Sequence, residues 1–117
     1  MTNVPAPRID YLELAATDMA AMKTFYAAAF GWRFTDYGPG YASFAKEDAG
    51  LDGGFDADKA VSDGGPLIVF FTDDIKGAEA RIVKAGGVVN IPVFEFPGGR
   101  RFHFKDPSGN ELAVWST

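Results

Sequence analysis

The sequence predicts an α+β domain made of two diverged copies of one β-α-β-β-β unit. Three observations predict it. The order strand, capped helix, glycine stop and three short strands is read twice along 117 residues. Landmarks recur at one separation, with Thr17 and Thr72, Asp18 and Asp73, and Gly31 and Gly86 each 55 apart. A polar, Gly-containing stretch divides the copies. Such a recurrence of a whole supersecondary unit points to a pseudo-twofold architecture.

The units are expected at residues 8–56 and 66–117, joined by a linker at 57–65, together one domain. Residues 1–7, with Pro5 and Pro7, read as a loose lead-in. Ile9 to Ala15 alternates as a strand, and Thr17 and Asp18 supply N-cap chemistry. Met22, Phe25, Tyr26 and Ala29 fall at helical spacing, so about three turns of helix follow, stopped by Gly31 as a C′ glycine. Trp32–Tyr37, Tyr41–Ala45 and Gly50–Phe55 read as strands, with turns at Gly38-Pro39-Gly40 and Asp48-Ala49. Leu67–Phe71 restarts the pattern. Thr72, Asp73 and Asp74 offer caps, Ile75, Ala78, Ile82 and Ala85 form a helical stripe, and Gly86-Gly87 stop it. Val88–Phe94, Arg100–Lys105 and Glu111–Trp115 are the remaining strands.

Composition narrows the function classes. Apolar residues make up 47% of the chain and include 11 Phe, enough for a real core; aromatics also line small-molecule cavities. The formal charge of −5 argues against nucleic acid, which needs a basic face to neutralise phosphates. With no cysteine, thiolate catalysis and Cys-based metal sites are excluded. No run approaches a membrane span and the first residues carry no apolar leader, so a soluble cytoplasmic protein is expected.

Four stretches resemble the vicinal oxygen chelate superfamily of glyoxalase I, bleomycin- and fosfomycin-resistance proteins and extradiol dioxygenases. They are Tyr11-Leu12-Glu13-Leu14; Asp18 with Phe25-Tyr26 and Phe30-Gly31-Trp32; Ala85-Gly86-Gly87; and Phe104-Lys105-Asp106-Pro107-Ser108-Gly109-Asn110-Glu111-Leu112. The resemblance implies curved mixed sheets around a cavity, the glyoxalase-like fold, and a homodimer. It also implies four metal ligands, one from the first and one from the last strand of each unit. Here those places fall at Tyr11, about Gly54, Leu67 and Ala113. None supplies the imidazole, carboxylate or thiolate that zinc, iron or manganese requires, and the chain has one His in all. No metal and no cofactor are expected.

Alternation leaves Tyr11 and Glu13 on the strand face opposite Leu12 and Leu14, and Arg101, His103 and Lys105 opposite Phe102 and Phe104. A carboxylate among aromatics can act as acid or base. A strand histidine titrates near neutrality; the resemblance places His103 where fosfomycin-resistance relatives carry a pocket tyrosine. Arg101 suits a ligand's carboxylate or phosphate, and Trp115 shares a face with Ala113. The expected ligand-binding set is therefore Tyr11, Glu13, Arg101, His103 and Trp115, converging on one pocket. The first reading is a metal-independent protein that binds a small organic molecule in an aromatic cavity, with or without reaction. The rival is a metal-dependent lyase, isomerase or dioxygenase with unusual ligands; a third is a structural domain whose cavity is closed.

Overall fold

In a computed structural model that describes residues 8–62 and 64–117, the chain forms two four-stranded mixed sheets. The first unit runs β1 (Tyr11–Ala15), α1 (Met19–Phe30), β2 (Phe34–Asp36), β3 (Tyr41–Phe44), α2 (Lys46–Ala49) and β4 (Asp52–Asp56). The second runs β5 (Ile68–Phe71), α3 (Ile75–Lys84), β6 (Val88–Phe96), β7 (Gly99–Lys105) and β8 (Glu111–Ser116). The strand orders β1-β4-β3-β2 and β5-β8-β7-β6 are the same pattern twice, with the first and last strand of each unit parallel. The expected lead-in at residues 1–7 lies outside the described residues, as does Asp63 of the linker. No helix among the described residues is long and apolar enough to cross a membrane.

Local chemistry sets the helices. The Asp18 carboxylate accepts from the Ala21 N–H at 3.1 Å and caps α1. Gly31, at φ 74°, ends it in the left-handed conformation that glycine adopts without a Cβ clash. In the second unit the cap is Asp74, accepting from Gly77 at 3.0 Å, rather than Asp73 or Thr72. The Thr72 hydroxyl instead accepts from the Asp74 N–H, shaping the approach to the helix. The cap-to-cap spacing is thus one residue longer than the Asp18/Asp73 match implies. Leu67 stands seven residues ahead of Asp74, as Tyr11 stands ahead of Asp18.

The turn expected at Asp48-Ala49 is the short helix α2, ended by Gly50 at φ 88°. The Asp48 carboxylate takes the Arg33 guanidinium in a two-point clamp at 2.9 and 3.1 Å and also accepts from the Arg33 backbone N–H. These bonds hold Asp48 below the usual carboxylate range. Because α2 occupies that stretch, β4 begins at Asp52 rather than Gly50. β6 also runs two residues past its expected end, through irregular pairing between Val89 and Phe94.

Both sheets turn an apolar face to one shared core. Leu14, Phe44 and Phe55 of the first sheet and Phe102, Phe104, Leu112 and Val114 of the second are buried together with Phe25, Tyr26 and Ile82 from the helices, as expected of those three. Tyr26 stacks on Trp32 with ring centroids 4.8 Å apart, Phe30 reaches Phe70 at 4.8 Å and Phe25 reaches Phe104 at 6.1 Å. Trp32 is therefore a core residue. Each such ring withdraws enough apolar surface to favour folding by roughly 2–3 kcal/mol.

A polar node lies inside this core. The Tyr26 hydroxyl donates to the Asp106 carboxylate at 2.9 Å. Asp106 also accepts from the backbone N–H groups of Ser108 and Asn110 and from the Asn110 side chain. Asn110 in turn donates to the Ala15 carbonyl at 2.9 Å, and the Ser108 hydroxyl accepts from the Thr17 N–H. Burial, and then the Asp106 charge, hold the Tyr26 phenol well above its ordinary value. Burial pushes Asp106 up as well, against the pull of its donors. Asp106→Ala should cost about 3 kcal/mol, because it strands several buried donors at once, and Tyr26→Phe about 1 kcal/mol. Urea unfolding of the two variants checks this; equal and negligible losses would show that the node is not structural.

Candidate functional site

Register fixes which side chains share the faces turned away from the helices. In the first sheet Tyr11 lies opposite Asp52, and Glu13 opposite Gly54, itself opposite Ser43. In the second sheet Ala113 lies opposite both Val69 and His103, and Trp115 opposite Phe71 and Arg101. Arg101 and His103 face Phe94 and Ile91 of β6. The irregularities of β6 do not reach the β7–β8 pairing, so the Arg101/His103/Lys105 face assignment stands.

The face of the first sheet carries a hydrogen-bonded chain. The Tyr11 hydroxyl lies 2.6 Å from that of Tyr41, which donates to the Glu13 carboxylate at 2.9 Å. Since Tyr41 spends its proton on Glu13, Tyr11 is the donor to Tyr41. Burial, followed by the bonds to Tyr11 and Glu13, raises Tyr41 far above an ordinary phenol. Tyr41 was not among the residues expected from the sequence. Its place is made by Gly54, where an added Cβ would collide with the Tyr41 hydroxyl and ring. The glycine that stands where a ligand would project is thus the residue that admits the phenol.

The face of the second sheet is aromatic and cationic. The Arg101 guanidinium lies over Phe94 and Phe96, 5.4 and 5.7 Å from their centroids. Trp115 meets Phe71 at 5.0 Å and Phe96 at 6.2 Å. Val69, Phe96, Arg101 and Trp115 line a recess of about 210 Å³. His103, 7% exposed, bonds through Nδ1 to the Glu111 carboxylate at 2.9 Å. That bond is the main reason the Glu111 carboxyl lies below the usual carboxylate range. An ionised Glu111 accepts, so Nδ1 carries the proton and Nε2 is the free ring position. Nε2 of His103 and Nε of Arg101 are buried with no hydrogen-bond partner among the described residues.

The five expected residues therefore lie in two groups. Tyr11 and Glu13 join Tyr41 on the first sheet; Arg101, His103 and Trp115 share the second. A cleft of about 230 Å³ between β1 and the start of β8 is lined by Glu13 and by Glu111, the partner of His103. Glu111 was also missed from sequence, although its place opposite Lys105, diagonal to His103 across the β7–β8 hairpin, was available once the intervening turn was recognised.

Metal chemistry does not fit these residues. The four places implied by the resemblance hold Tyr11, Gly54, Leu67 and Ala113. The space at Gly54 belongs to Tyr41, Ala113 is fully buried with no donor atom, and no three His, Cys, Asp or Glu side chains gather among the described residues.

Residues 8–114 match the pattern of the Glyoxalase/Bleomycin resistance protein/Dioxygenase superfamily. The glyoxylase-named CFP32 of Mycobacterium bovis is 30% identical over 91% of this chain and 44% of its own length. The anthracycline biosynthesis protein DnrV of Streptomyces peucetius is 31% identical over 90% of this chain and 45% of its own. The chain thus spans less than half the length of these relatives. A glyoxalase-related enzyme from Fulvimarina pelagi superposes with a TM-score of 0.79 at 20% identity, covering 96% of this chain and 89% of that one. Lactoylglutathione lyase from Agrobacterium tumefaciens gives 0.72 at 19%, covering 96% and 95%. At those identities the likeness shows the fold.

In an alkaline absorbance titration, two of the four tyrosines, Tyr26 and Tyr41, should keep their protons to higher pH than free tyrosine. Glu13→Gln should bring the Tyr41 ionisation down by removing the accepting charge. An unchanged titration curve would mean that the Tyr11–Tyr41–Glu13 chain does not form.

Proposed function

The chain belongs to the Glyoxalase/Bleomycin resistance protein/Dioxygenase superfamily, and from that premise we propose that it binds a small organic molecule, without metal, against the aromatic faces of its sheets. The observation that carries the binding reading is the buried Nε2 of His103, without a partner among the described residues, beside an Arg101 that lies over the rings of Phe94 and Phe96. A polar group shut off from water without a partner costs about 1–3 kcal/mol, and such groups mark places completed by a ligand or by water. A few polar atoms among aromatics is the usual make-up of a small-molecule site.

The metal-free part of the reading rests on the occupants of the four ligand places and on the Tyr41 ring filling the room at Gly54. DnrV, named for anthracycline biosynthesis, belongs to small-molecule chemistry, in keeping with an organic ligand here. A cytoplasmic setting accords with a chain that has no cysteine. We further read the working form as a homodimer. β1 and β5 are open edge strands, and on β5 Val69 and Phe71 are 40% and 52% exposed; open apolar edges invite a second chain.

Chelator treatment should leave the melting temperature unchanged. A fall that added zinc or manganese reverses would restore the metal-dependent reading, a lyase, isomerase or dioxygenase. Sedimentation at micromolar concentration should give twice the chain mass; a monomer there would remove the dimer from the proposal.

A further inference from the structure

Arg101 is a charge without a bonded partner on the face of the second sheet turned away from the helices. It makes no hydrogen bond and no ion pair among the described residues, although it is only partly exposed. Its guanidinium plane lies over Phe94 and Phe96, and its strand neighbour on β8 is Trp115. The nearest carboxylate on this face, Glu111, is already taken by His103. Lys105, the next cation along the face, is exposed to water. The Arg101 charge is therefore held against π surface with no carboxylate bonded to it among the described residues. A guanidinium in that position, with its Nε–H sealed from water, is disposed to receive a carboxylate side-on through Nε–H and an Nη–H.

The surroundings restrict what else the ligand carries. The recess beside Arg101 is walled by Val69, Phe96 and Trp115 and holds about 210 Å³. That is below the roughly 300–1,000 Å³ of sites for drug-sized molecules, so it suits a single ring. Trp115 and Phe96 meet edge to face at 62°, with centroids 6.2 Å apart, and together make one aromatic wall for a flat apolar body to lie against. His103 stands two residues from Arg101 on the same face, about 7 Å along the strand, with Nε2 still to be used.

We propose that the ligand is a one-ring aromatic carboxylate, its carboxylate held by Arg101 and its ring packed against Phe96 and Trp115. This rests on the binding reading above and names its ligand class. Entry of the carboxylate turns the guanidinium fork toward it and supplies the Nε–H with the acceptor that the chain lacks. His103 is the positioning group beside it, its ring oriented by Glu111.

Benzoate and benzamide separate the charge from the ring, and the side-chain Nε–H resonance of Arg101 reports contact by nuclear magnetic resonance. Benzoate should shift the Arg101 Nε–H and Trp115 indole resonances and saturate with Kd on the order of a millimolar, as expected of so small a ligand. It should bind at least tenfold more tightly than benzamide. Arg101→Met should bring benzoate to the benzamide level and leave benzamide unaffected, with Arg101→Gln as the second variant should the first not fold. Equal binding of acid and amide, or a preference that survives the loss of Arg101, would overturn the carboxylate assignment while leaving a small-molecule site in place. Failure of benzoate, benzamide and the neutral dye Nile red alike to saturate would overturn the binding reading itself.

Discussion

The hydrogen-bonded node of Tyr26, Asp106 and Asn110 is the constraint on which the arrangement of the two units depends. Each unit has a single long helix to cover one face of its sheet, too little to make a core alone. The node crosses between them: a phenol from the first helix, a carboxylate and an amide from the last turn, and a carbonyl at the end of the first strand. Apolar packing is tolerant of small slides, whereas buried hydrogen bonds are not. The node therefore fixes where the aromatic layer of Phe25, Phe30, Phe70 and Phe104 meets, and through it how each sheet's outer face is presented.

Those outer faces have diverged in chemistry although their strands follow one plan. The first carries a phenol–phenol–carboxylate chain and admits it by removing a side chain at Gly54. The second carries a guanidinium among rings and an imidazole oriented by Glu111. Neither offers a set of donors suited to a divalent ion. What the fold retains from its family is the shape of the support; the chemistry is in the side chains placed on it.

Much of this was legible in the sequence, for identifiable reasons. Helix caps and glycine stops are local, so α1 could be read from Asp18 and Gly31. Strict alternation located Phe102 and Phe104 inside and Arg101 and His103 outside, because β7 runs without a bulge against β8. Choices among equivalent neighbours were harder: Thr72, Asp73 and Asp74 can all cap, and only the path of the chain after β5 selects Asp74. α2 was hidden because Lys46-Glu47-Asp48-Ala49 is too short to show a period, and its anchor, Arg33, is distant in sequence. Tyr41 and Glu111 were missed as site members because each acts through a partner on another strand, and pairing register is not a local property.

The fit of Tyr41 into the space at Gly54 also bears on how this lineage can change. A side chain arising at position 54 would meet the Tyr41 hydroxyl and ring, so the phenol would have to swing aside to admit it. Shrinking Tyr41 instead would leave Glu13 without its donor. The two positions are therefore coupled: what is tolerated at one depends on what stands at the other.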